Sequence, residues 1–239
     1  MKKVNISVGQ GFIKGTLFYP KKIKNKNPAI IFIHGWNSDE SGYRPRAEAL
    51  ASLGYICLTI SLRGHGESSG KLEEFSRQDH LQDIIKAYDF LTSQKEVDLN
   101  NINVVGASYG AYLGAILTTK RKVVSLAMRA PALFPNAGFS RPTIDLIRNI
   151  KHDLIQNALP ETDNFALIGI NQVNHVILIE SERDQIIPHA IIALYKNAIS
   201  DKTKLTNKII KGAGHHLSEE KWKQEFITIL REWFGKQIF

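Results

Sequence analysis

The chain has 239 residues, 43% hydrophobic and 23% charged, which suits one large core or a core with a small insertion and excludes a disordered or fibrous protein. Lys and Arg number 31 against 23 Asp and Glu, a net charge of +8, yet the densest basic run, Lys21-Lys22-Ile23-Lys24-Asn25-Lys26, has no interleaved aromatics and reads as a solvated loop, so no nucleic-acid partner is expected. No apolar run is long enough to span a membrane, so membrane insertion is not expected either, and Cys57, the one cysteine, permits no internal disulfide and fits a reducing, cytoplasmic setting.

Residues 2–8 and 11–19 alternate apolar with polar (Val4, Ile6, Val8; Phe12, Leu17, Tyr19), as in an antiparallel hairpin. After Pro28, the stretch Ala29-Ile30-Ile31-Phe32-Ile33 is apolar at every position, as expected of a parallel strand buried on both faces, and it leads into His34-Gly35-Trp36. A helix is predicted over 43–53, ended by Gly54, then a strand over 55–60 and the turn-rich Arg63-Gly64-His65-Gly66-Glu67-Ser68. Ser76 and Asp79 form a capping pair for a helix over 77–93, whose Leu81, Ile84, Ile85, Tyr88 and Leu91 make one apolar stripe.

Ile102, Val104 and Val105 form a buried strand that turns at Gly106-Ala107-Ser108-Tyr109-Gly110 into a helix carrying Ala111, Tyr112, Leu113, Ala115 and Ile116. A further strand covers 123–128. Strand and helix alternating in this way imply a mostly parallel sheet with helices on both faces. The alternation breaks between Arg129 and Asn174, a stretch with Pro131, Pro135, Pro142 and Pro160 and with Ile144, Ile147, Leu154 and Ile155 at helical spacing. We read 131–171 as a helical cap inserted in a single domain spanning 1–239. A strand over 175–179, a helix over 188–199, a strand over 204–210 and a final helix with Trp222, Phe226, Ile229, Leu230 and Trp233 on one face complete the chain.

The Gly106-x-Ser108-x-Gly110 corner is the chemically pointed feature. A strand-to-helix turn this sharp strains the serine backbone and leaves no room for side chains two residues away on either side. The hydroxyl then stands free over the amino-terminal end of a helix, where negative charge is favoured. A serine hydroxyl attacks only when a base removes its proton, and the base needs an orienting acid. Functional groups of a parallel sheet collect at the carboxyl ends of its strands. Two later strands end suitably, one in Glu180-Ser181-Glu182-Arg183-Asp184 and the last in Gly212-Ala213-Gly214-His215-His216.

With His34-Gly35-Trp36, Gly106-x-Ser108-x-Gly110, an Asp184 loop closed by Ile187-Pro188, and Gly214-His215 in this order, the whole chain resembles the α/β-hydrolase superfamily of serine hydrolases. The Arg63-Gly64-His65-Gly66-x-Ser68 loop is similar to that of cinnamoyl/feruloyl-esterase-like and monoglyceride-lipase-like members. The resemblance implies Ser108 as nucleophile, His215 as base and Asp184 as acid, with Glu182 as the fallback acid and Glu180 a strand-end charge. It implies an oxyanion hole from the backbone N–H groups of Trp36 and Tyr109, leaving their side chains free to shape the pocket. His34 and His65 read as loop-fixing residues, and His216 as a loop-packing one. Arg129, at a strand end near the cap, reads either as a contact to a substrate carboxylate or as a surface or ion-paired residue. The cap's Phe134, Phe139, Ile144, Ile147, Leu154 and Ile155 either line an acyl or aromatic pocket or pack on the body.

The expectation is a carboxylic-ester hydrolase working through an acyl-serine, with no metal or organic cofactor, as a monomer or homodimer. A thioesterase, acyltransferase or small-amide hydrolase would use the same triad, and a non-catalytic ligand receptor would use the same fold. Because Arg141, Asp145, Arg148, Lys151 and Asp153 interrupt the cap's apolar stripe, short-to-medium acyl or aromatic esters are expected as substrates rather than long-chain lipids.

Overall fold

The computed structural model describes residues 1–145 and 163–237. Eight strands form one sheet in the order β1-β2-β4-β3-β5-β6-β7-β8. β1 (Lys2–Val8) and β2 (Gly11–Phe18) make the expected hairpin, and β2 runs antiparallel to β4 (Ile56–Ile60). From β4 onward every neighbour is parallel: β3 (Asn27–Ile33), β5 (Val97–Ala107), β6 (Ser125–Arg129), β7 (His175–Ser181) and β8 (Leu205–Ile210). Parallel pairing puts the carboxyl ends of β3, β5, β6, β7 and β8 along one edge, where a short loop can carry each strand's next residues.

The continuous apolar runs are explained by burial on both faces. Ile31, Ile33, Leu58, Val104, Leu126, Met128 and Leu178 point to one core, with α2 (Arg77–Thr92), α3 (Tyr109–Leu117) and α5 (His189–Ala198). Ile30, Phe32, Cys57, Val105, Ala127 and Ile177 point to the other, with α1 (Arg44–Ala51) and α6 (Glu220–Gly235). Cys57 is fully buried, and burial pushes its thiol well above the ordinary value. The short α4 (Phe165–Gly169) leads back toward β7.

α2 begins as its sequence requires. Ser76 Oγ accepts from the Asp79 N–H, and Asp79 returns a bond to the Ser76 N–H, so two end donors of the helix are satisfied. Gly54, after α1, takes a φ of 111°, which only glycine adopts without strain. α6 departs from the expected face in one place. Phe226, Ile229, Leu230 and Phe234 are buried, whereas Trp222 and Trp233 pack only partly against the core. Phe234 stands one helical turn beyond Leu230 and so continues its stripe, and Trp233 falls at the stripe's edge.

The flanks of the proposed cap are tied to the body. Arg77, 1% exposed, donates from Nη1 to the Pro135 carbonyl and from Nη2 to the Ala137 carbonyl, both at 2.6 Å. Its guanidinium lies over the Phe134 and Phe139 rings. Phe134 is 3% exposed and packs edge-on to Tyr112, so the packing alternative applies to it. Phe139 meets Phe165, and Ile144 is half-buried. Ile147, Arg148, Lys151, Asp153, Leu154 and Ile155 lie outside the described residues.

Candidate active site

The corner after β5 is strained. Ser108 has φ 50° and ψ −117°, a conformation costing a non-glycine residue roughly 1–3 kcal/mol. Its surroundings over-determine it. The Ser108 N–H donates to the Arg129 carbonyl at 2.9 Å, and the Ser108 carbonyl accepts from the N–H groups of Ala111, Tyr112 and Ala132, each at 3.1 Å. The two flanking glycines have no alternative. A Cβ on Gly106 would sit 2.6 Å from Ala111 Cα, and one on Gly110 would run into the carbonyls of Ile33 and His34. The backbone of β3 and that of α3 therefore approach closely, and the Ser108 side chain is left half-exposed at the sheet edge.

Asp184 and His215 come from the ends of β7 and β8, which are paired in register, so their loops start side by side. The Arg183 N–H donates to the Ala213 carbonyl at 2.8 Å and locks the loops together. Asp184 Oδ1 accepts from the N–H groups of Ile186 (2.9 Å) and Ile187 (2.8 Å), and Oδ2 meets His215 Nδ1 at 2.8 Å. Burial alone would raise the Asp184 carboxyl, but the bonds from His215 and from the Ile187 and Ile186 amides together hold it below the ordinary carboxylate value. With an ionised Asp184 on one side, His215 carries its proton on Nδ1 and keeps Nε2 as the free acceptor.

Ser108 and His215 line one cavity of about 410 Å³ together with Gly35, Trp36, Ala107 and Arg129. The N–H groups of Trp36 and Tyr109 donate to no acceptor among the described residues. The Trp36 residue lines this cavity and its ring packs on those of His65, His80 and Tyr109, whereas the Tyr109 side chain does not shape the cavity: its ring is 1% exposed and its hydroxyl donates to His80 Nδ1 at 2.8 Å. Tyr109 Oη can donate there because His80 Nε2 gives its proton to the Arg63 carbonyl at 3.1 Å.

The other sequence candidates fall into place around this geometry. Glu182 is exposed, and its carboxylate accepts from the Gly212 N–H at 2.7 Å rather than from His215. Glu180 binds Lys196 and His189. His216 is exposed, edge-on to His215, and lines the cavity. His34 is fully buried; Nδ1 donates to the Gly35 carbonyl at 2.7 Å and Nε2 accepts from the Leu62 N–H at 3.0 Å. His34 and His80 are both held down to about 3, chiefly by burial and then by the neighbouring His65. His65 packs against the His34 and Trp36 rings, so these imidazoles fix the loops that shape the cavity's approach.

Arg129 is neither a surface residue nor ion-paired among the described residues; it is 8% exposed, and Nη1 donates to the His215 carbonyl at 2.7 Å. The sequence reading missed the far wall, which α1 and α6 supply through Arg46, Glu220, Lys223, Gln224, Phe226 and Ile227. Of the described residues between 131 and 171, none lines this cavity. Among the described residues no group of three or more His, Cys, Asp or Glu side chains is disposed to hold a metal, and no helix is long and apolar enough to cross a membrane.

Comparison with known proteins agrees with the fold. Uncharacterized protein MT2364 of Mycobacterium tuberculosis is 24% identical over 217 residues, covering 90% of this chain and 72% of that protein. The mitochondrial palmitoyl-protein thioesterase ABHD10 of Bos taurus is 27% identical over 167 residues, covering 68% of this chain and 52% of that protein. Among solved structures, Est1E from Butyrivibrio proteoclasticus with bound ferulic acid superposes with a TM-score of 0.77 at 18% identity, covering 98% of this chain and 99% of that one. The family model described as serine aminopeptidase, S33, matches residues 24–174, well over half the chain and including the Ser108 corner. The chain belongs to this family of α/β-hydrolases.

Proposed function

We propose that this α/β-hydrolase is a serine esterase that cleaves short-to-medium acyl or aromatic carboxylic esters through an acyl-enzyme on Ser108. One observation carries the reading: a half-exposed serine on strained backbone shares a cavity with a histidine whose far nitrogen is bonded to a carboxylate at 2.8 Å. In the proposed reaction His215 Nε2 takes the Ser108 proton as Oγ attacks the ester carbonyl. The Trp36 and Tyr109 amides receive the oxyanion, which preorganised donors stabilise more than the neutral ester. The imidazolium, steadied by Asp184, returns its proton to the departing alcohol. Water then repeats the sequence and frees the acid.

A cavity of about 410 Å³ has room for a limited acyl group, which favours short chains over long lipids. Residues 131–171 are proposed as a cap within one domain, and the buried Cys57 suits a cytoplasmic location. The similarity to ABHD10 favours a second reading, an acyl thioesterase using the same residues.

The test is fluorophosphonate labelling with the adduct located by mass spectrometry, run beside a panel of p-nitrophenyl esters of rising chain length, an aromatic ester and an acyl thioester. Labelling of Ser108 and best turnover of a short or aromatic ester is expected. A higher kcat/KM for the thioester selects the second reading, and folded protein that labels elsewhere or not at all refutes both.

A further inference from the structure

The wall of the Ser108 cavity is electrically unbalanced. It includes three cationic side chains, Arg46, Arg129 and Lys223, and one carboxylate, Glu220. Lys223 is half-exposed and Glu220 exposed, and they pair with each other at 3.4 Å, so solvent screens them. The two arginines are different. Arg129 is 8% exposed; Nη1 serves the His215 carbonyl and, at 3.4 Å, the Ser181 hydroxyl, while Nε and Nη2 have no hydrogen-bond partner among the described residues. The carboxylate acting on it is Asp184, which forms no ion pair with it among the described residues and whose oxygens accept from His215, Ile186 and Ile187.

Arg46 is stacked between two rings, 5.4 Å from the Tyr43 centroid and 5.1 Å from that of Phe226. It donates from Nη1 to the Gly42 carbonyl, and its Nε is buried with no hydrogen-bond partner among the described residues. The two guanidinium groups repel one another, and burial pulls each below its ordinary value.

Burying cations is costly, and although Asp184 acts on Arg129 and the exposed Glu220 on the half-buried Arg46, two guanidinium groups at one cavity compound the cost. Holding the His215 carbonyl needs a donor but not a charge, so a neutral side chain would serve if that were the whole role of Arg129. A guanidinium with an open N–H edge is the group best matched to a carboxylate, which accepts two parallel bonds from it. We propose that Arg129 and Arg46 form an anion subsite beside Ser108, and that the preferred substrate is an ester carrying a carboxylate. Arg129 presents its open edge to that group, and the stacked Arg46 adds a second fixed charge. The proposal rests on the serine-hydrolase reading and narrows its substrate class.

The test compares kcat/KM within matched pairs. The 4-nitrophenyl monoester of adipic acid against its methyl-capped diester places the anion on the acyl side. 4-Acetoxybenzoate against its methyl ester places it on the alcohol side. Each pair is run with the parent protein, Arg46→Gln and Arg129→Lys. In at least one pair the carboxylate substrate should be preferred about tenfold or more, the scale of a charge-assisted pair, and Arg46→Gln should bring that ratio toward one. The ratio is internal to each variant, so a general loss of activity or stability does not mimic the result. In parallel, Ser108→Ala protein is titrated with monomethyl adipate and dimethyl adipate, a readout independent of turnover, and only the anion should bind. Turnover of neutral esters with no preference for the carboxylate in either pair overturns the subsite and leaves the esterase intact. Absence of all turnover with selective binding of the anion does the reverse. An anion preference unchanged in both arginine variants also overturns the assignment.

Discussion

Replacing Asp184 by Asn probes the acid through hydrogen-bond direction. Oδ1 of Asp184 accepts two backbone N–H bonds, from Ile186 and Ile187, while Oδ2 faces His215 Nδ1. In the amide only the oxygen can accept, so it stays with the two backbone donors and the NH₂ turns toward His215. Nδ1 must then accept, the proton moves to Nε2, and the imidazole can no longer take the Ser108 proton. Flipping the amide restores the useful tautomer but abandons two backbone donors. The Ile186 bond is exposed and water can replace it, so the part-buried Ile187 donor sets the cost, roughly 1–3 kcal/mol, which leaves a productive fraction of about one in five at best. Loss of the charge that steadies the imidazolium deepens the defect, and kcat should fall roughly 10³–10⁴-fold, about 4–5.5 kcal/mol of barrier. The assay is steady-state hydrolysis of a p-nitrophenyl ester, with circular dichroism to show an unchanged fold. Glu182→Gln, which keeps an acceptor oxygen for the Gly212 N–H, should stay within a few-fold of the parent. A kcat within tenfold of the parent for Asp184→Asn, or a large loss in Glu182→Gln, refutes the assignment of the acid.

Three further outcomes are expected. Gly110→Ala forces a methyl into the Ile33 and His34 carbonyls, so it should destabilise by about 1–3 kcal/mol or more and abolish fluorophosphonate labelling; a parent-like melting temperature with full labelling contradicts the close approach of β3 and α3. Phe234→Ala should cost about 3–5 kcal/mol by urea unfolding and Trp233→Ala clearly less, since Phe234 is 0% exposed; the opposite ranking would put Trp233 on the core face of α6. His34 and His80 stay neutral in the fold down to about 3, whereas the unfolded chain protonates them near 6.5. The unfolded state therefore binds more protons, and stability present above about pH 6.5 is lost as pH falls toward 3, at up to about 1.4 kcal/mol per pH unit for each histidine. A urea midpoint that does not drop between pH 7 and pH 5 refutes this sign.

Much of the architecture was legible because it follows from local pattern. Alternation marked the hairpin, unbroken apolar runs marked strands covered on both faces, and Ser76 with Asp79 marked the start of α2. The corner at Ser108 was legible for the same reason, since its two glycines answer contacts only a few residues long. Assembly at the site was another matter. Choosing Asp184 over Glu182 depends on how two loops, 31 residues apart at Asp184 and His215, are locked by the Arg183–Ala213 bond. Trp233 and Phe234 are equally apolar as letters, and only the angular phase of α6 on its core decides which is buried.

The cavity wall shows the division most clearly. Arg46 lies early in the chain and Phe226 near its end, and nothing in either segment announces that they meet. Their stacking arises because α1 and α6 cover the same face of the sheet, a fact of topology that pairs residues without regard to sequence distance. The character of Arg129 was likewise undecided in the sequence, where a strand-end arginine suits solvent, an ion pair or a ligand. Tertiary packing decided it, by burying the guanidinium at the cavity that Ser108 lines, with no ion pair among the described residues. Local physics thus determined the elements and the Ser108 corner; the environment of each charge, which depends on what every other element brings near it, was set only by the folded whole.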